Sequence, residues 1–268
     1  MNYDVIIVGT GAGGATAARE LSKKGINVLI LEKGSSYNTG TAVNYLKTIE
    51  VDNTKKPLPD WQKDESQNEN NSKYKFINYP SELMYSEGMG GTTTISLANA
   101  CYSCSACYYN SAISQMENHD LILFEELIEA SGDLKVSPLP REFMGPATIK
   151  LAKAAEKLGF IVESMPKFID FKKCNNCGSC INGCTRGAKW DATTFIGQAV
   201  TQGATLIEDF EVQRVLHKKG KTYGVEGVTT QGEIKRFTSQ KVILSAGSLN
   251  TPRILQNSEI ISGVAEGL

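Results

Sequence analysis

Gly9-Thr10-Gly11-Ala12-Gly13-Gly14 fits G-x-G-x-x-G, and Glu32 stands 18 residues beyond Gly14 (32 − 14). These residue types at this spacing suit the diphosphate of a dinucleotide. Gly9 lets the chain turn sharply out of a strand. Gly11 has no Cβ, so a pyrophosphate can approach the backbone closely, and Gly14 lets a helix lie close to its sheet. The N-terminus of that helix offers unpaired N–H groups and a partial positive charge to phosphates. Glu32 sits where an acid reaches a ribose hydroxyl. An acid there accepts hydrogen bonds from a free 2′-OH and repels a 2′-phosphate, which argues against NADP. A second glycine cluster, Gly88-Met89-Gly90-Gly91-Thr92, joins a close-approaching backbone to hydroxyl donors.

The cysteines carry a different chemistry. Cys174-x2-Cys177-x2-Cys180-x3-Cys184 has the spacing of bacterial ferredoxin loops, with Gly178 and Gly183 to supply tight, φ-positive backbone. Cys101-x2-Cys104-x2-Cys107 repeats part of the pattern. In two-cluster ferredoxins the fourth cysteine of such a run serves the other cluster, so Cys184 can pair with that earlier set. Thr185 stands where ferredoxins have proline. Three readings stay open: an iron–sulfur cluster such as [4Fe–4S], zinc, or plain thiols in a glycine-rich loop. Zinc sites usually pair two spaced Cys-x2-Cys or Cys/His arms, which this run lacks.

These residues need elements to position them. Val5–Val8 reads as a short buried strand, and a helix follows with Ala15, Ala18 and Leu21 on one face, ended by Gly25. Val28–Leu31 reads as a second buried strand leading to Glu32. Residues 52–75 are polar, with an Asn-rich run, and read as a surface excursion. Helices are expected over Leu121–Ala130, Glu142–Leu158, with Phe143, Ala147, Leu151, Ala155 and Leu158 at helical spacing, and Thr193–Gln202, with a strand at Thr205–Ile207. Val212–His217, Tyr223–Thr229 and Ile234–Phe237 read as an antiparallel meander turning at Lys219-Gly220 and Gln231-Gly232. Val242–Leu244 is a third buried strand, and Pro252 suits the first turn of a helix after it.

Composition bounds the classes. The chain has 268 residues, 41% hydrophobic and 21% charged, enough for a large core. A net charge of −1 gives no electrostatic case for nucleic acid or an anionic membrane. No apolar run reaches the roughly 20 residues a membrane span needs. Seven cysteines, an odd number at tight spacing, argue against a secreted disulfide framework. The expected location is cytoplasmic.

Four stretches together resemble the glucose–methanol–choline (GMC) oxidoreductases, FAD enzymes that oxidise alcohols. They are the N-terminal motif with Glu32, the Gly88–Thr94 cluster, the cysteine loop ending Gly187-Ala188-Lys189, and Ala246–Leu255. The last is the most family-specific. It departs at Glu259 and Ile261, where the family usually has glycine. The resemblance implies an α/β, Rossmann-like FAD-binding domain: a parallel sheet with helices plus a β-meander, carrying a Cys-containing insertion at about 100–190. It implies that Gly9, Gly11, Gly13, Gly14 and Glu32 hold the ADP half of FAD. Gly90, Gly91 and Thr92 would lie along the pyrophosphate or flavin. The backbone of Val212 would pair with adenine, and Ala246 and Gly247 would approach the dinucleotide again. It implies hydride transfer from a small-molecule alcohol to the flavin while a base takes the hydroxyl proton.

In that family the substrate domain and catalytic histidine lie further along than this chain runs. Neither His119 nor His217 matches the catalytic position, so no catalytic residue is assigned. The expectation is one FAD-binding region, 1–268, working with a second chain or a missing C-terminal half that carries the histidine. A cluster beside the flavin would favour a dehydrogenase feeding an electron-carrier protein. The alternative is a flavin/iron–sulfur electron-transfer subunit that works with a separate partner chain.

Overall fold

The computed structural model describes residues 2–36, 46–51, 81–100 and 119–261. Residues 52–75 and Cys101, Cys104 and Cys107 lie outside the described residues.

Val5–Val8 (β1) and Val28–Leu31 (β2) are apolar at every position, and both are buried at every position. A strand can be so only when both faces of its sheet are covered. The crossover Ala12–Lys23 (α1) joins them as parallel neighbours. Residues 205–207 (β7) and 242–244 (β11) complete a parallel sheet in the order β11-β1-β2-β7.

The strand period of two then sorts the core. Val5, Ile7, Val28 and Ile30 face α1 and a second helix, Thr193–Thr201 (α4), meeting Ala15, Ala18, Phe195 and Ile196. Ile6, Val8, Leu29 and Leu31 face the other way, onto Phe210, Val212, Val215 and Val225. Those belong to the antiparallel meander Phe210–Lys218 (β8), Lys221–Thr229 (β9) and Ile234–Thr238 (β10). The β8–β9 turn has Lys219 at φ 51° and Gly220 at φ 74°, the two left-handed residues of a tight hairpin.

Leu46–Val51 (β3) pairs antiparallel with Ser81–Ser86 (β4), so the ends of the polar excursion are held together, and Ser137–Pro138 (β5) pairs antiparallel with Pro166–Lys167 (β6). His119–Asp133 (α2) covers the expected helix. Pro146–Lys157 (α3) starts four residues later than expected (146 − 142). Gly145 is extended and Pro146 opens the helix, where a missing N–H costs nothing. Phe143, expected on the helix's apolar face, instead packs edge-on against Phe171 at 5.2 Å. No residue of α3 is buried.

Gly247–Asn257 (α5) begins ahead of Pro252, so Pro252 is an interior residue rather than a first-turn one. Having no N–H, it leaves the Ser248 carbonyl without its usual intrahelical donor. No helix among the described residues is long and apolar enough to cross a membrane.

Candidate functional site

The carboxyl ends of β1 and β11 and the start of α1 open into a cleft of about 1470 Å³. Ligands bind at this place in open α/β sheets, outside the carboxyl ends of the strands. Gly9, Gly11, Gly13, Glu32, Gly91, Thr92, Val212, Ala246 and Gly247 all line it. Gly14 and Gly90 stand behind the wall.

Each glycine of the first motif has a distinct constraint. Gly9 turns at φ 97°, and a Cβ there would fall 2.5 Å from the Ser245 carbonyl oxygen. A Cβ on Gly14 would fall 2.0 Å from the Gly9 carbonyl oxygen, so nothing larger than glycine fits under α1. Gly11 is the opposite case: it caps α1 with φ −64° and ψ −175°, and a Cβ there would meet no protein atom within 4 Å. Its neighbourhood is the cleft itself.

Glu32 is buried, 7% exposed, at the end of β2. Its carboxylate accepts from the Thr10 amide at 2.9 Å, the Thr10 hydroxyl at 2.6 Å and the Gly34 amide at 3.0 Å. Burial pushes the Glu32 carboxyl up from its ordinary range, and these donors pull it part of the way back. The Thr10 hydroxyl in turn accepts from the Gly90 amide at 3.0 Å. A chain of hydrogen bonds therefore runs from the second glycine cluster through Thr10 to the acid. Sequence reading passed over Thr10, whose only signal was a hydroxyl between two glycines.

The second cluster is shaped by its own threonines. Gly91–Ile95 forms a short 3₁₀ turn in which Thr93 and Thr94 hydroxyls donate to the Gly90 and Gly91 carbonyls at 2.6 and 2.8 Å. A Cβ on Gly91 would approach Gly11 Cα to 3.2 Å, so the two glycine loops close on each other across the cleft floor.

On the far wall, β8 is the edge strand of the meander. The Phe210 amide donates to the Glu32 carbonyl at 2.9 Å, and the Val215 amide to the Ser258 hydroxyl at 2.8 Å. Alternation turns the Val212 amide to the same outer side as that of Phe210. It lies just before a bulge between Val212 and Arg214. Ser248, whose carbonyl lacks the Pro252 donor, also lines the cleft.

The cysteine loop sits behind this wall. Lys189, 4% exposed, reaches the carbonyls of Thr94 (2.6 Å), Ser96 (3.1 Å) and Cys180 (2.9 Å). Burial lowers the Lys189 ammonium from its usual range, against the pull of Asp191, Cys180 and Cys184. One side chain thus joins the cleft-lining turn to the cysteines. Cys174, Cys180 and Cys184 pack against Ala98, Ile169 and Ala188, while Cys177 is exposed. All four are free thiols. Among the described residues no three His, Cys, Asp or Glu side chains are gathered closely enough to hold one metal ion. The expected ligand set is therefore present as a loop but not drawn onto a single point. The Cys184 thiol is lowered: burial raises it, and the backbone amides of Lys189, Ala188 and Arg186 outweigh that.

His217 offers no general base here, because its Nε2 lies 2.6 Å from the Ser258 carbonyl oxygen at the end of α5. His119 opens α2.

The sequence profile of the GMC oxidoreductases matches residues 3–264. An uncharacterized GMC-type oxidoreductase of Mycobacterium tuberculosis is 27% identical over 272 residues, which cover 95% of this chain and 39% of that one. A long-chain-alcohol oxidase of Arabidopsis thaliana is 27% identical over 274 residues, covering 95% and 34%. Among solved structures, pyridoxine 4-oxidase from Mesorbium loti superposes with a TM-score of 0.70 at 15% identity, covering 96% of this chain and 52% of that one. A formate oxidase of Aspergillus oryzae RIB40, described for the modification of its FAD, gives 0.64 at 17%, covering 96% and 47%. The chain spans about half or less of the length of these proteins. With the profile running over nearly all of its length, this chain belongs to the GMC oxidoreductase family.

Proposed function

We propose that the cleft binds FAD and that this chain is the FAD-binding portion of an oxidoreductase acting on a CH–OH donor. The observation that carries the reading is Gly11. It is a helix-capping residue whose missing Cβ opens onto cleft rather than protein, with an acid held opposite at Glu32. On this reading Gly9, Gly11, Gly13 and the first amides of α1 take the pyrophosphate, with Gly14 allowing the helix to sit that close. Glu32 keeps lone pairs for the ribose hydroxyls. The outward backbone of Val212 pairs with adenine. Gly90, Gly91, Thr92, Ala246 and Gly247 line the path toward the flavin.

Bound there, the flavin supplies a two-electron acceptor for the hydride of an alcohol carbon. The protein's part is to orient it and shield it. The proton of the alcohol needs a base, and His217 lies outside the cleft, its ring held at the Ser258 carbonyl. That base comes, on this reading, from a second chain or a C-terminal half corresponding to the remaining length of the relatives. We favour a dehydrogenase over an oxidase on the ferredoxin-like spacing of Cys174, Cys177, Cys180 and Cys184, since a one-electron centre beside a flavin would feed a carrier protein. The same observation supports the second reading, an electron-transfer subunit serving a partner chain.

Gly11→Val tests the site. Its φ and ψ suit any residue and a Cβ there meets no protein atom within 4 Å, so the side chain starts into the cleft rather than into the fold. Flavin fluorescence titration should show FAD binding to the unaltered chain and at least about tenfold weaker binding to the variant. Equal binding by both, or none by either, overturns the reading.

A further inference from the structure

We propose that Thr10 is a positioning residue that couples the acid end of the cleft to the second glycine cluster, so that a sugar seated on Glu32 orders the turn at Gly88–Gly91. The coupling rests on the FAD reading for what fills the cleft.

Glu32 is gripped at both oxygens. Oε2 accepts from the Thr10 amide at 2.9 Å and the Thr10 hydroxyl at 2.6 Å, and Oε1 accepts from the Gly34 amide at 3.0 Å. Both donor residues also support the second cluster. The Thr10 hydroxyl accepts from the Gly90 amide at 3.0 Å. A Cβ on Gly34 would fall 2.6 Å from Gly88 Cα, so the two backbones pack in direct contact. Beside them the Met89 amide donates to the Ser35 carbonyl at 3.2 Å, and Lys33 pairs with Glu87 at 2.9 Å. The turn therefore rests on the residues that follow the acid and on Thr10, which stands between acid and turn.

One atom of Thr10 does both jobs. Its Oγ1 gives its proton to a carboxylate and keeps its lone pairs for Gly90. Donation to a charged acceptor polarises the hydroxyl and makes it a better acceptor in turn. Thr10 has no exposed surface, and Gly90 is buried too. Removing the hydroxyl would take a partner from a buried amide and from a buried acid at once.

The geometry also separates a direct effect from a transmitted one. Gly91 and Thr92 line the cleft, whereas Gly90 stands behind its wall. A ligand in the cleft can touch Gly91, but it reaches the Gly90 amide through that amide's partner, Thr10. Sugar hydroxyls donating to Glu32 would fix the carboxylate, and with it Thr10 and Gly34. A flavin arriving beside Gly91 and Thr92 then meets a turn already held in place, and the remaining ordering costs less. The ADP half of the cofactor both binds and prepares the site of the other half. Coupling of this kind between two sites is typically worth about 5- to 150-fold in affinity.

Amide exchange on the full chain, read residue by residue, tests this with ADP, which carries the sugar and the phosphates but no flavin. In the unaltered chain saturating ADP should slow exchange at the Gly90 amide by about fivefold or more. Thr10→Val keeps the branched shape and removes the hydroxyl. ADP should then still slow the first amides of α1 and leave Gly90 unchanged. Thr10→Ser returns the hydroxyl without the methyl and should return the protection, which a role in packing alone would not do. Affinity gives the matching split: the preference for FAD over ADP should fall by about fivefold or more in Thr10→Val and recover in Thr10→Ser. Protection of Gly90 that survives in Thr10→Val, or stays lost in Thr10→Ser, overturns the coupling and leaves the FAD reading standing. So does ADP bound to the unaltered chain with no change at Gly90, a result that needs no variant to fold. Binding of neither ADP nor FAD by the unaltered chain sinks the FAD reading and the coupling together.

Discussion

The two sides of Lys189 are built on opposite principles. Toward the cleft, β1 and β2 are buried along their whole length between the helices and the meander, and Ile6, Ile7, Leu29 and Ile30 have no exposed surface. Toward the cysteines, α3 buries nothing. Leu151, Leu158 and Phe160 are 72%, 77% and 65% exposed, and the local core has only Ala98, Ile169 and Ala188 fully buried, with Phe168, Phe171 and three thiols packed against them. The nucleotide side is thus held by hydrophobic burial, and the cysteine side by backbone turns, a buried ammonium and a few hydrogen bonds.

The largest expected contrast comes from matched truncations. Ile30→Ala opens a cavity in the sheet's fully covered face and should cost about 2–5 kcal/mol. Leu151→Ala, on α3, should stay within about 0.5 kcal/mol. Urea unfolding of the two variants measures both. Should Leu151→Ala cost as much as Ile30→Ala, α3 would be covered by another part of the molecule and the contrast would fail.

Next comes the link between the sides. Lys189→Met keeps the length of the side chain and removes the donor. The carbonyls of Thr94, Ser96 and Cys180 then lose a shared partner, at a cost of about 1–3 kcal/mol for each group left buried and unpaired. If the two sides are coupled only there, amide exchange should speed up in both the Gly91–Ile95 turn and the cysteine loop, while β1 and β2 stay protected. Faster exchange confined to one side would show that Lys189 supports that side alone.

The same division decides how much was legible in sequence. β1, β2, α1 and the hairpin at Lys219-Gly220 were readable because their causes are local: an apolar run, glycine spacing, and a turn that demands left-handed residues. Pro252 misled, because its usual place is a first turn, whereas here α5 tolerates one lost bond beside a cleft. Phe143 misled because helical spacing suggested a face that Gly145 and Pro146 cut off. Glu259 was marked as a departure from glycine, and it does adopt φ 58°, so the turn survives without the residue that suits it best. The Gly90–Thr10–Glu32 chain and the reach of Lys189 were not readable. They join positions 80 and 95 residues apart, and no periodicity encodes such pairs.

Glu32 offers the finest test of the cleft side. Burial raises its carboxyl in the folded chain above the ordinary carboxylate value. Between those two values the folded state holds a proton that the unfolded state has released. Linkage then makes stability fall as pH rises through that window, with the full contribution present below the ordinary value. Glu32→Gln removes the titrating group, so the stability difference between the unaltered chain and the variant should shift across the same window and level off on either side. A difference that stays constant with pH would mean the acid is better solvated than its burial implies. FAD sharpens the comparison, because ribose hydroxyls donating to Glu32 favour its charged form. With cofactor bound, the window should narrow and move toward the ordinary value. A ligand that leaves it in place does not touch the acid.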